Sequence, residues 1–284
     1  MKIHPGTYFL CLFVILTAGL GTKTALAQSR EELVIHKDVP VVVELFTSTN
    51  CGACMEADRI LYDLSKNKNV ITLGCHVDYW DDQTLENPTG LEACTYRQWT
   101  YKASGMMSKA EVNVPYFIVN GRQSIDRDKI RIFNQFFNLE SSGGRRPPLP
   151  VDLSWKDQET LYVTLPDTTW RLDDQDSYSV WLLRYQDSVV KKLTEGQTAG
   201  RVLRFSNVVK SSKHIAKWHG EKRTIEVPVG VPPGGSDRGG YVVMIHQLNG
   251  SDVIGAGKVM DYKMPDKKSV SSAAQPEVTP KPSQ

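Results

Sequence analysis

The spacing of apolar and polar positions changes character along the chain. "VPVVVELFTS" (39–48) is an unbroken, β-branched run, the pattern of a central strand buried on both faces. From Cys54 onward, "CMEADRILYDLSKN" places Met55, Ala57, Ile60, Leu61 and Leu64 at helical spacing. "NVITLGCHVDYW" (69–80) predicts a second strand, and "LEACTYRQWTYKAS" a second helix with Leu91, Cys94, Trp99 and Lys102 along it. "VNVPYFIVNGRQSID" reads as strand, Asn-Gly turn and short strand. "DRDKIRIFNQFFNL" predicts a third helix capped by Asp126 or Asp128.

The Gly/Pro-rich stretch "SSGGRRPPLP" (141–150) then marks a boundary, beyond which only strands are predicted. Seven short segments, from "VDLSW" through "SYSVWLLRY", "RVLRFSNVVK" and "GYVVMIHQ" to "DVIGAGKVMDY", alternate or nearly alternate, as a small sandwich would. Two domains are therefore expected: an α/β unit over 39–140 and a mostly β, sandwich-like unit over 150–263. Residues 264–284, rich in Pro, Ser and Lys without apolar periodicity, are expected to be disordered.

At the other end, "YFLCLFVILTAGLG" followed by Ala25-Leu26-Ala27 has the form of a signal peptide over residues 1–27, cleaved before Gln28. No second candidate span follows, so the expected product is soluble, without a membrane span after cleavage, and secreted or periplasmic. Cys11 would leave with the signal, and Cys51, Cys54, Cys75 and Cys94 would remain, an even set suited to an oxidising compartment. Net charge of +2 argues against nucleic acid or an anionic membrane surface as a partner. No GxSxG, HExxH, P-loop or strand-borne GxGxxG occurs, which removes the common hydrolase, protease and nucleotide readings, and no cofactor is implied.

Chemistry concentrates at Cys51-Gly52-Ala53-Cys54, between the first strand and the first helix. A zinc site would want a second Cys or Cys/His pair. Cys75 and His76 are neighbours on a strand and point to opposite faces, so no metal site is assigned. A structural Cys51–Cys54 disulfide closes too small a loop to stabilise much. As a redox pair, Cys51 would be the exposed nucleophile, its thiolate favoured by a helix N-terminus, and Cys54 the shielded resolver. Gly52 and Ala53 supply no charge to hold the thiolate, which favours a reducing or middling potential.

This topology with "CGAC" resembles the thioredoxin fold over roughly 39–140. "VVVELFTSTNCGACMEADRIL", "HVDYWDD", "VPYFIVNGR", "AGRVLRFSNVV" and "IGAGKV" together resemble the exported, thioredoxin-like DUF1223 family across both domains. The resemblance implies a cis Val114-Pro115 bond facing the CxxC, with the Val114 backbone and Gly52-Ala53 contacting a bound partner. It also makes Glu44 the counterpart of a buried acid that takes a proton from Cys54. Where the family pattern has Ser-Ser and then Pro-Pro, this chain has Gly52-Ala53 and Met55-Glu56. Cys75 and Cys94 stand where the pattern has other residues, and could form either a staple or a second redox pair. His76, Asp78 and Trp80 would share one face by strand alternation and border the site, with His76 as a partner for Cys51. His214, Trp218 and His219 are too scattered for a ligand set, and His246 reads as a strand residue.

The resulting expectation is a thiol–disulfide oxidoreductase acting on exported protein thiols or small thiols, with its electron partner unspecified. Two rivals are a Cu(I) module, with His76, Met55, Met106 or Met107 as third ligand, and a partner-binding module whose CxxC is idle.

Overall fold

The computed structural model describes residues 33, 40–81, 89–107, 112–142, 146–169, 177–194, 196–247 and 251–262. The signal-peptide segment and the tail from 264 lie outside the described residues. β1 (Val41–Thr47) is buried at all seven positions, as its continuous β-branched run requires of a strand covered on both faces. α1 (Met55–Ser65) turns Ala57, Leu61 and Leu64 inward, an i, i+4, i+7 stripe. β2 (Val70–His76) follows and pairs parallel to β1, Val41 opposite Val70 through Thr47 opposite His76. α2 (Glu92–Ala103) buries Cys94, Gln98 and Tyr101. Trp99 is 51% exposed, so the inward stripe runs one residue away from the one the apolar letters suggested.

β3 (Tyr116–Val119) and β4 (Gln123–Asp126) form the expected hairpin, with positive φ at both Asn120 and Gly121 of its turn. Asp126 caps the following 3-10 turn through its carboxylate, which accepts the Asp128 N–H. α3 (Phe133–Ser142) then begins six residues later than the sequence pattern suggested, because residues Arg127–Ile132 are wound as that 3-10 turn.

The remaining strands are β5 (Leu149–Pro150), β6 (Asp152–Trp155), β7 (Thr160–Leu165), β8 (Tyr178–Lys192), β9 (Val202–Trp218), β10 (Arg223–Pro228), β11 (Gly239–Gln247) and β12 (Val253–Met260). Two sheets result, one of nine strands ordered β4-β3-β1-β2-β9-β8-β11-β12-β5 and one of three ordered β10-β7-β6. The segments on either side of 141–150 thus share a single sheet, joined where β2 meets β9 at Gly74 opposite Val208. Glycine is required there: a Cβ on Gly74 would lie 2.9 Å from the Ser206 carbonyl oxygen. Strands β8 and β9 pair antiparallel along nearly their whole length, and the described tip beyond the pairing includes Gly196–Arg201.

Alternation divides the core between the two faces of the large sheet. Val42, Phe46, Leu73 and Cys75 join Leu183, Tyr185, Val242 and Met244 in one cluster, to which α2 contributes Cys94 and Tyr101. On the opposite face, Val41, Val43 and Leu45 pack against α1 and α3. Farther along that face, Val180, Leu182, Val243 and Ile245 pack against Leu161, Val163 and Val227 of the small sheet.

Candidate dithiol site

The chain leaves β1 at Thr47, turns through Ser48–Asn50 and presents Cys51 in extended conformation. Asn50 donates its N–H to the Ser48 hydroxyl (3.2 Å) and Cys51 to the Ser48 carbonyl (3.3 Å), which fixes the turn. Gly52–Cys54 form one 3-10 turn that runs directly into α1, with the Cys54 N–H on the Cys51 carbonyl at 3.0 Å. Neither this turn nor α1 has a side-chain cap, so the positive end of the helix is directed at the cysteine turn. Cys51 and Cys54 are joined as a disulfide, their Cα atoms 5.3 Å apart.

Both sulfurs are covered. Cys51 is 3% exposed and Cys54 fully buried, while Ala53 faces solvent. This corrects the expectation of an exposed Cys51: it shares a core cluster with Val114 and Met107, and residues from the second half of the chain bond to the turn that carries it. Gly52 donates its N–H to Gln197 Oε1 (3.4 Å), and Gln197 donates its own to Asn50 Oδ1 (3.0 Å). The Thr198 hydroxyl donates to the Thr49 carbonyl (2.8 Å), and the Arg201 guanidinium to Met55 Sδ (2.8 Å). Gly196 permits this approach: its φ is +74°, and a Cβ there would fall 1.9 Å from Asn50 Oδ1. The β8–β9 tip is therefore bonded to the cysteine turn from Thr49 to Met55, a contact no local sequence pattern foretold.

A second disulfide, Cys75–Cys94, ties β2 to α2 in the same core cluster. Two disulfides are what an oxidising compartment permits. One and two turns beyond Cys94, the same face of α2 presents Arg97, Gln98 and Tyr101. Arg97 forms a bidentate pair with Glu44, the second bond running from Nη2 to Oε1 at 2.9 Å, and Tyr101 donates its hydroxyl to Glu44 as well. Arg97 Nη2 also meets His246 Nε2 at 2.9 Å. Glu44 is thus held by Arg97 and Tyr101, and its role as acceptor for Cys54, expected from the sequence, does not match this bonding. Burial and the neighbouring Arg97 hold His246 well below its usual range, so it stays neutral and accepts from the guanidinium.

Gln98, fully buried, bridges the Tyr79 hydroxyl (2.8 Å) and the Asn113 carbonyl (2.8 Å). It anchors the chain before Val114-Pro115, whose peptide bond is cis. Val114, Met107 and the Cys51–Cys54 pair share one core cluster, against which Met106 packs.

His76, Asp78 and Trp80 do not share a face. β2 ends at His76, and Asp78–Trp80 form a 3-10 turn, so strand alternation stops. Asp78 exchanges hydrogen bonds with Thr95 on α2, accepting the hydroxyl proton at 2.5 Å, while Trp80 packs on the cluster that holds the disulfides. His76 turns to the other side, bonded to Thr89 Oγ1 (2.7 Å) and edge-on to Phe205 (4.8 Å). Burial, with Lys210 and Lys191 adding to it, pushes His76 down to about 3. A neutral imidazole turned away from Cys51 is not its ion-pair partner.

One titratable group escaped the sequence reading. Asp58 lies four residues after Cys54, on the same helical face, where i,i+4 Cβ atoms are ~5–6 Å apart. Its carboxylate accepts the Thr47 hydroxyl (3.1 and 3.3 Å), and burial raises it to about 7 against that bond. The spacing Cys-x-x-x-Asp was the available signal, hidden among first-turn acids that helices favour anyway. Among the described residues, no three His, Cys, Asp or Glu side chains converge on a metal position, and no helix is long and apolar enough to cross a membrane.

Comparison with known proteins adds family and fold. The family described as "Protein of unknown function (DUF1223)" matches residues 42–246, which run from β1 to β11. The crystal structure of protein AGR_C_4864 from Agrobacterium tumefaciens superposes with a TM-score of 0.65 at 20% identity, covering 81% of this chain and 98% of that one. HBP35 of Porphyromonas gingivalis does so at 0.50 and 13%, covering 89% and 81%. At these identities the likeness is one of fold. None of the curated proteins matches this chain in sequence.

Proposed function

The chain belongs to the DUF1223 family, and we propose that it is an exported thiol–disulfide oxidoreductase whose redox pair is Cys51–Cys54, on a thioredoxin-like arrangement of β1, α1, β2, β3, β4 and α3. The observation that carries this reading is the disulfide itself, closed at the uncapped N-terminal end of α1 and linked to the rest of the core through a single turn. A dithiol there has its thiolate favoured by the helix end.

In the reducing direction, the Cys51 thiolate attacks one sulfur of a substrate disulfide, forming a mixed disulfide and releasing the first substrate thiolate. The Cys54 thiolate then attacks the Cys51 sulfur, closing the protein disulfide and releasing the second. The substrate gains two electrons and the protein loses two. Cys54 must shed a proton at that second step, and Asp58 is the carboxylate placed to receive it. A thiol or dithiol donor runs the same steps backwards to restore the reduced protein.

The test is alkylation of Cys51 in reduced protein across pH, together with a mixed-disulfide trap in Cys54→Ala. A Cys51 pKa well below 8.5, with adducts captured through Cys51, is the expected result. A thiol that titrates at 8.5 or above and an empty trap would count against exchange. Tight Cu(I) uptake by the same inert thiols would favour metal handling instead.

A further inference from the structure

We propose that the tip of the β8–β9 hairpin is the substrate-selecting element of this site, and that it selects low-molecular-weight disulfides and thiols carrying carboxylates. This rests on the oxidoreductase reading above and names its substrate class.

Position comes first. Gln197, Thr198 and Arg201 bond to Gly52, Asn50, Thr49 and Met55, so the tip borders the cysteine turn along the stretch that they span. With Cys51 only 3% exposed beside it, the entrance suits a small molecule rather than the broad face of a folded protein. These contacts are few and hydrogen-bonded rather than an interlocked apolar core, so the tip can yield to a ligand that replaces them.

Charge comes second. The two strand ends that carry the tip hold Lys191 opposite Leu203 and Lys192 opposite Val202, next in register to Arg204 and Arg201, and the sequence has Glu195 as the one acid in residues 191–204. Arg201 and Arg204 are exposed, and each is steadied by a neutral acceptor, Met55 Sδ at 2.8 Å and the Ser188 hydroxyl at 3.2 Å. A neutral acceptor positions a guanidinium without cancelling its charge. Among the described residues no carboxylate pairs with either arginine. Lys210 and Lys191 also add to the burial that holds His76 below its usual range. Arg201, bonded at the cysteine turn, and Arg204, three residues along the same chain segment, each keep their charge and fit a ligand with carboxylates flanking its sulfur.

The exchange is balanced as before. Cys51 bonds to one sulfur of the small disulfide while its carboxylates rest on Arg201 and Arg204, the other half leaves as thiolate, and Cys54 releases the second half.

The test uses the full chain, reduced with dithiothreitol and desalted, and follows closure of the Cys51–Cys54 peptide by alkylation and mass. Oxidised glutathione (anionic), hydroxyethyl disulfide (neutral), cystamine (cationic) and insulin (a folded protein disulfide) serve as oxidants. Each rate is normalised to that disulfide's rate with dithiothreitol. Oxidised glutathione is expected to lead cystamine roughly ten-fold or more at low salt, as charge steering allows. That lead should shrink as the Debye length falls to ~3 Å near 1 M salt. R201Q/R204Q should bring the ratio close to one, R201K/R204K should keep most of it, and the remote K222Q should leave it unchanged. A wild-type ratio near one, a ratio insensitive to salt and to R201Q/R204Q, or insulin outrunning oxidised glutathione each overturns the proposal while leaving the oxidoreductase reading in place. No reaction with any disulfide would sink that reading and this one with it. The wild-type ratios decide the matter even if the double variant fails to fold.

Discussion

Asp58 and His76 are displaced from their ordinary ionisation in ways that affect stability in opposite directions. Asp58 rises from 3.8 to about 7, so the folded state holds a proton that the unfolded chain gives up. Its burial therefore costs nothing at low pH and progressively more as pH climbs from about 4 to 7. Asp58→Asn is expected to melt higher than wild type, by a margin that widens over that interval and stays level above it. In stopped-flow release of a thiol from the mixed disulfide, the same variant should lose the pH-rate step near 7 while Cys51 alkylation keeps its profile. If both steps survive, Asp58 is not the acceptor. His76 falls from 6.5 to about 3, so its contribution is complete above 6.5 and is lost as pH drops toward 3. Denaturant titrations should show stability declining through that window, with a shallower decline in His76→Gln. The identity of neither group was hidden in the sequence. What was hidden is where the groups beyond His76 point, because a chain that leaves its strand there no longer obeys the two-residue alternation, whereas Asp58 was hidden among first-turn acids.

At the scale of elements, α2 is the member on which the most depends. Cys94, Arg97, Gln98 and Tyr101 all face inward and reach three parts of the site: Cys94 reaches β2, Arg97 and Tyr101 both reach Glu44 on β1, and Gln98 the turn before Pro115. Removing Arg97 would leave Glu44 with a buried carboxylate short of its cation, and Arg97→Met is expected to cost about 3–5 kcal/mol in urea unfolding. Glu44→Gln combined with Arg97→Met should recover part of that loss. If the double variant is as unstable as the sum of the singles, the pair is not coupled. The Cys75–Cys94 bond spans 19 residues, and Cys75→Ala/Cys94→Ala should lose about 3 kcal/mol by loop entropy. The helix itself was legible in the sequence, and so was the option of a Cys75–Cys94 bond. Its polar face was not, because Gln98 and Arg97 are residues that patterning assigns to solvent and only tertiary partners bring inside.

For the whole molecule, the seams fall elsewhere than composition suggested. The three α-helices all precede the Gly/Pro stretch at 141–150, yet β9 from the second segment pairs with β2 from the first, and one core cluster runs beneath both. Local periodicity reports which strands exist. It carries no information on which edge a strand will find 134 residues away, as Gly74 and Val208 do. A fragment ending at residue 148 would expose the β2 edge and the apolar face of Val42, Phe46 and Leu73. It is expected to aggregate or lack near-ultraviolet circular dichroism, and a monomeric, cooperatively melting fragment would show the segments to be independent.

That single junction also imposes an order of events. The cysteine turn, α1 and β2 are made early, whereas β9 and the tip that precedes it emerge some 130 to 150 positions later. Distant pairings form slowly, because the intervening chain must be drawn together first. During that interval the turn that carries Cys51 and Cys54 lacks the bonds from Gln197, Thr198 and Arg201 that it has in the finished fold. The cysteines are thus made long before the strand that comes to lie against their turn.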